Sequence, residues 1–217
     1  MCGGALARAT LGRLPTYLSH VRALQAAGMT HTSATAIARA LGLGEVQVRK
    51  DLNAISGAGK PRTGYLIDDL IRAMEERIGA KGASRAVLVG AGKLGCALLS
   101  YDGFAAYGTE IIAAFDTDEG KLGVCENGKH IYPLSYLRDF IRENKVTTGV
   151  ITVPQQAAQQ VCDLLVACGV RAIWSFAPVR LQTPGDVCLR QENLALSLAC
   201  LNGQRGAFAD EDEAESL

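Results

Sequence analysis

No stretch of the 217-residue sequence stays apolar for the roughly twenty residues that a bilayer-spanning helix needs. The first thirty residues also lack a charged segment followed by an apolar run and a small-residue cleavage site, so a soluble, unprocessed, cytoplasmic chain is expected. Histidine is scarce: His20, His31 and His130 are the whole supply, and none stands in a motif with an orienting carboxylate. The seven cysteines are odd in number and form no CxxC pair, which points to reduced, buried thiols and to no metal site. What the chain does have is apolar material, 48% of its residues, enough for two modest domains that each bury a core.

Net charge is also missing, and a formal value of zero taken as a whole points away from nucleic acid. The average hides an asymmetry. Residues 1–82 hold eleven Lys/Arg against six Asp/Glu, and residues 83–217 hold eleven against sixteen. A basic first part and an acidic remainder are expected when only one domain meets phosphate. Part of the acidic excess lies in Ala209–Glu215, within a tail (204–217) read as disordered.

Met1–Leu11 shows no clear apolar period and is read as a leader. From there Leu14, Tyr17, Leu18, Val21 and Leu24 recur at helical spacing, with Pro15 assigned to the first turn and Gly28 to the end. A second helix, capped by Thr32 or Ser33, carries Ile37 and Leu41 on one face. Gly42 and Gly44 then turn the chain into a third helix, from Glu45 to about Ile55. Two helices joined so tightly form a helix-turn-helix. Val48, Leu52 and Ile55 share the inward face of the third helix, which leaves Gln47, Arg49 and Lys50 as outward candidates for DNA binding. Arg can bind guanine bidentately, Gln can bind adenine, and Lys can meet phosphate. Ser56–Tyr65 is glycine-rich and basic and reads as a wing, whose Lys60 and Arg62 can reach a phosphate or the minor groove. A helix over Leu66–Ile78 and a linker at Gly79–Gly82 complete a winged helix-turn-helix domain over 12–82. A solvated basic face is the bland alternative, and the helix-turn-helix spacing together with the basic wing outweighs it.

From Arg85 the pattern becomes strand-like. Ala86-Val87-Leu88-Val89 is the short apolar run of a buried parallel strand, and 110–115, 147–153 and 171–176 repeat the theme. Helical segments at 94–100, 133–144 and 155–168 separate them, and a last helix spans 192–201. The fold class is therefore α/β, with a mostly parallel, Rossmann-type sheet over 83–203. Directly after the first strand, Gly90-Ala91-Gly92-Lys93-Leu94-Gly95 fits G-x-G-x-x-G. Gly90 permits the tight turn, Gly92 admits the pyrophosphate, and Gly95 lets helix pack on strand. Asp116 stands at the end of the second strand, where a carboxylate accepts from both ribose hydroxyls and repels a 2′-phosphate, favouring NAD(H) over NADP(H). Thr152-Val153-Pro154 falls at the carboxyl edge of the sheet, where such folds bind ligands, although Pro154 also suits a helix start.

Taken together, these segments resemble the Rex family of redox-sensing repressors from about Leu14 to Leu201. The resemblance is carried by Val46-Gln47-Val48-Arg49-Lys50-Asp51-Leu52, Gly64-Tyr65, the glycine motif, Tyr101-Asp102-Gly103-Phe104, Phe115-Asp116-Thr117-Asp118, Thr152-Val153-Pro154 and Phe176-Ala177-Pro178. It implies a homodimer that exchanges its C-terminal helix and grips a palindromic, double-stranded operator when free or bound to NAD⁺. NADH, an effector that is not consumed, would rotate the subunits and release the DNA. By position, Gly90–Gly95 would hold the pyrophosphate and Asp116 the adenosine ribose. Tyr101 and Thr152–Pro154 would lie on the nicotinamide side, with Leu194 close by, while Arg49 and Lys50 would read DNA. The chain departs from the family pattern at Ile55-Ser56, where Phe-Gly is usual, and at Asn193, where an acid usually opens the exchanged helix.

Two rival readings remain open in the sequence. One is a small NAD-dependent dehydrogenase with a helical extension, disfavoured by the histidine shortage and by the little chain left for a substrate domain. The other is a repressor that answers to coenzyme A or another nucleotide, because a fold does not fix its ligand.

Overall fold

The computed structural model describes residues 6–79, 84–125 and 127–201. They form two compact units, one from Met1–Ala83 together with Gly103–Thr109, the other from Ser84–Asp102 and Glu110–Leu217. The predicted linker falls mostly outside the described residues, as do Met1–Ala5 of the leader and the whole acidic tail.

The first unit contains α1 (Arg8–Ala26), β1 (His31–Thr32), α2 (Ala34–Leu41), α3 (Glu45–Ser56), β2 (Tyr65–Leu66) and α4 (Ile67–Ile78). Helix α1 starts earlier than its proline suggests, and Pro15 lies inside it rather than in its first turn. An interior proline costs about 3 kcal/mol. Leu14, Tyr17, Leu18 and Val21 on the same helix are fully buried. At about 1.5–3 kcal/mol for each large apolar side chain, their packing outweighs the lost backbone bond. The helix ends as expected at Gly28, in the left-handed region, where Gly28 N–H donates to Gln25 O and Met29 N–H to Leu24 O. Ser33 is the cap of α2, its Oγ accepting from Ala36 N–H at 3.1 Å. Val48, Leu52 and Ile55 of α3 sit in the core with Ile37, Leu70 and Met74.

Strands β1 and β2, absent from the sequence expectation, pair antiparallel and anchor the wing. Within it Lys60 and Gly64 exchange two backbone hydrogen bonds of 2.8 Å around a three-residue tip. Gly64 has φ +77°, and a Cβ there would stand 2.2 Å from Thr32 O, so only glycine fits.

The second unit contains β3 (Ser84–Val89), α5 (Lys93–Leu99), β4 (Thr109–Asp116), β5 (Gly123–Val124), β6 (His130–Pro133), α6 (Leu137–Asn144), β7 (Thr148–Ile151), α7 (Gln155–Ala167), β8 (Ala172–Ser175) and β9 (Cys188–Gln191). Residues 194–201 form a final helix, α8, two residues shorter than expected. The sheet order is β5-β6-β4-β3-β7-β8-β9. Strand β5 runs antiparallel to β6, so the sheet is mixed, whereas β7 is parallel to both β3 and β8. Pro133 ends β6 instead of opening a helix, and α6 begins only at Leu137 after a single 3₁₀ turn. Val87, Val89, Phe115, Ile151 and Ile173 form the sheet's share of the core, beneath Phe140, Val161 and Leu165.

The expectation of buried thiols holds only in part. Cys162 is buried, Cys96, Cys125 and Cys168 are half-buried, and Cys188 and Cys200 are exposed. Burial pushes the Cys162 and Cys168 thiols up, which keeps them protonated and inert.

Candidate functional site

The nucleotide cradle is built mostly from backbone. Gly90 ends β3 with φ +107°, and a Cβ would meet the Thr152 carbonyl group within 2.8–2.9 Å. At Gly95 a Cβ would stand 2.0 Å from Gly90 O. By contrast, none of the described residues comes within 4 Å of a Cβ built at Gly92. The first and third glycines therefore close the turn against the protein itself, and the second leaves open space at the start of α5. Thr152 Oγ1 donates to Gly90 O at 2.7 Å, which ties the β7 edge to the turn.

Asp116 does more than end β4. Its Oδ2 accepts from Ala91 N–H at 2.8 Å and its Oδ1 from Asp118 N–H at 3.0 Å, so the carboxylate latches the glycine turn. Lys121 Nζ lies 3.1 Å from Oδ2. Burial pushes this carboxyl upward, but the Asp118 N–H, the Lys121 ammonium and the Ala91 N–H together outweigh it and hold the group below the usual carboxylate range. Oδ1 keeps a lone pair able to accept from a further hydroxyl.

These groups border a cavity of about 790 Å³ lined by Gly90, Gly92, Asp116, Lys121, Thr152, Val153 and Pro154 among others. The structure thus brings six of the eleven predicted nucleotide residues to one wall. Ala91 and Gly95 act behind it, one through its N–H and the other through close packing. Lys93, Leu94 and Tyr101 are exposed and lie off the wall. Lys121 went unpredicted, although it is the first cation after the Asp116-Thr117-Asp118 run. The open cradle, the aimed carboxylate and the mixed polar and apolar lining fit a dinucleotide.

The other site lies on the first unit. Arg49, Lys60 and Arg62 line one groove of about 460 Å³ with Ser33, Thr35, Asn53 and Tyr65. Arg62 holds φ +68° at the wing tip, an unusual conformation for a non-glycine residue. Arg49 pairs with Glu45 one turn earlier on α3. Among the described residues, Lys50, Lys60 and Arg62 make no ion pair. Lys50 is exposed but off the groove wall.

Gln47 is tied inward, its Nε2 donating to Asp51 Oδ1 at 3.1 Å. Asp51 was not singled out from the sequence, yet it is the buried anchor of α3. It accepts from Thr10 Oγ1 at 2.9 Å, Tyr17 Oη at 2.8 Å and Arg13 Nε at 2.8 Å. Burial pushes its carboxyl up, and the Arg13, Tyr17 and Thr10 hydrogen bonds outweigh that and lower it. Tyr17 itself is pushed up to about 12 by burial and by its bond to Asp51.

The departures from the resemblance are absorbed locally. Ile55 is buried, Ser56 Oγ bonds Leu52 O, and Gly57 with φ +80° stops the helix. Asn193 Oδ1 caps α8 by accepting from Leu196 N–H at 2.9 Å. The histidines stay outside both cavities: His31 Nδ1 sits 2.9 Å from Thr30 Oγ1, and His130 stacks on Tyr132. Among the described residues no cluster of His, Cys, Asp and Glu could hold a metal, and no helix is long and apolar enough to cross a membrane.

Two family models match this chain, a CoA binding domain over residues 82–179 and a DNA-binding protein N-terminus over residues 5–53. The redox-sensing transcriptional repressor Rex of Bacteroides fragilis is 37% identical over 192 residues, covering 88% of this chain and 87% of its own length. The chain belongs to the Rex family. Rex of Syntrophomonas wolfei is 40% identical over 194 residues, covering 89% of this chain and 92% of its own. A solved Rex-family repressor, RSP in complex with β-NAD⁺ and operator DNA, is similar at TM-score 0.89 and 27% identity over 98% of both chains. RSP in complex with β-NADH is similar at TM-score 0.86 and 26% identity, covering 97% of this chain and 99% of its own. Rex proteins are repressors rather than enzymes, and the dehydrogenase reading falls with that assignment.

Proposed function

We propose that the protein is a cytoplasmic, homodimeric transcriptional repressor that holds operator DNA through residues 12–82 and is released by NADH bound to residues 83–203. The observation that carries this reading is the cradle at Gly90–Gly95, open only at Gly92 and latched by Asp116. Gly92 takes the pyrophosphate, Asp116 the adenosine ribose, and Thr152–Pro154 the nicotinamide side. The bound dinucleotide supplies differential affinity for two arrangements of the dimer, and it is not chemically consumed. A ligand that prefers one arrangement weakens whatever prefers the other, and the effect is reciprocal. Arg49, Lys50, Lys60 and Arg62 neutralise phosphate and read the groove, with Gln47 needing release from Asp51 before it can join them.

The dimer reading is supported by α8, where Leu194, Leu196, Leu198 and Leu201 are each more than half exposed. So much apolar surface on one short helix suits exchange onto a second copy.

Titrating labelled operator DNA bound to the protein with NADH, NAD⁺, NADPH and coenzyme A tests the proposal by fluorescence anisotropy. NADH should release the DNA at the lowest concentration. Saturating NADH that leaves the complex intact would overturn the sensor, and release by coenzyme A instead would move the ligand to the chemistry that the domain model names.

A further inference from the structure

We propose that Asn53 is a further DNA-contacting residue of α3, and that Tyr65 positions it to donate to a phosphate of the operator backbone. Tyr65 Oη donates to Asn53 Oδ1 at 3.0 Å. Among the described residues, Asn53 Nδ2 makes no hydrogen bond, so both of its N–H groups are left to donate outward. Asn53 stands one turn after Arg49 on the wall of the groove that Lys60 and Arg62 also line. Every charged residue on that wall is a cation, so the groove is built for an anion.

The tyrosine is held as well as holding. A Cβ at Gly59 would come within 2.8 Å of Tyr65 Cε2, so the wing backbone packs closely against the Cδ2–Cζ side of the ring. The wing and α3 therefore fix the amide from two sides. The chemistry then selects the ligand atom. An asparagine that reads adenine uses its oxygen and its nitrogen together. Here the oxygen already accepts from Tyr65, and the remaining donors suit a phosphate oxygen. Such a contact positions the helix and carries no sequence information of its own.

This inference rests on the DNA-binding reading, so operator binding by the unaltered protein is measured first, and its failure would sink that reading alone. With binding established, Asn53→Ala, Tyr65→Phe and the double variant are compared on operator and on unrelated DNA. Asn53→Ala should weaken both by at least about tenfold, as expected for the loss of a hydrogen bond to a charged group. Tyr65→Phe should weaken both about threefold, and the double variant should bind no worse than Asn53→Ala. The salt dependence of Asn53→Ala should stay at the wild-type slope, because no cation is lost, whereas Lys60→Ala should reduce it by about two, one for each subunit of the dimer. Asn53→Asp should bind far worse than Asn53→Ala. Unchanged binding by Asn53→Ala, a loss confined to one base-pair substitution, or multiplied losses in the double variant would each overturn the assignment.

Discussion

The two sites solve recognition in opposite ways. On the first unit the groups offered to a ligand are long side chains on a helix face and a wing tip, mostly exposed and with few internal partners. On the second they are backbone atoms, three glycines and one carboxylate whose oxygens are already engaged. A side-chain surface loses its affinity contact by contact, whereas a backbone cradle fails as a whole when one atom is added. The difference sets an order of expected effects.

The largest belongs to the cradle. Gly95→Ala puts a methyl 2.0 Å from Gly90 O, where only backbone can give way. NADH affinity, measured by calorimetry, should fall more than a hundredfold, about 3 kcal/mol or more. Operator binding should survive, and retained nucleotide binding would refute the contrast.

Next comes Asp51, the one buried anchor in the otherwise exposed site. Asp51→Ala leaves Arg13, Tyr17 and Thr10 facing an empty acceptor and should destabilise the first unit by about 3 kcal/mol in urea unfolding. Asp116→Ala should weaken NADH binding by about 1.5–3 kcal/mol, because it removes both the proposed ribose acceptor and the latch on Ala91. NADPH should gain relative to NADH in the same titration.

The pH dependence is gentler. Asp51 and Asp116 are held below the usual carboxylate range in the folded chain, so their stabilisation is complete above about pH 4. It is lost as pH falls through their folded values, and Asp51→Asn should flatten that acid limb. Tyr17 works in the other direction. Its proton is retained up to about 12 in the folded chain against 10.0 in the unfolded one. Its contribution is therefore full below pH 10 and lost between pH 10 and 12, and Tyr17→Phe should abolish that alkaline loss. The smallest effect is a gain: Thr32 Oγ1 is buried with no partner among the described residues, so Thr32→Val should stabilise the first unit by about 1 kcal/mol.

Where the sequence carried a period or a fixed spacing, it was legible. The Gly42–Gly44 turn, the inward triplet of α3, the apolar run of β3 and the division of labour among Gly90, Gly92 and Gly95 could all be read without coordinates. Two-residue strands such as β1, β2 and β5 have no period to read, and β9 gave no alternating signal that stood out. Pro15 misled because tertiary packing of α1 overrides a local rule. Asp51 stayed hidden because its partners lie 34 to 41 residues away, on a helix whose start was misplaced. Gln47 looked like a reader from its outward angle, and only the inward bond to Asp51 qualifies it. Lys121 was invisible because a salt bridge to the Asp116 carboxylate has no motif of its own.

The stretch Gly103–Thr109 carries a practical warning for dissection of the molecule. It arises inside the α/β part of the sequence, after its first strand and helix, yet it folds with the helical unit, where Arg22 donates to Ala106 O at 2.8 Å and Tyr107 covers part of the core. Scissors applied at the junction near residue 82 would strip those pieces away, so an excised reading head should melt at a lower temperature than the same residues do within the intact chain. Its borrowed staple would have stayed behind.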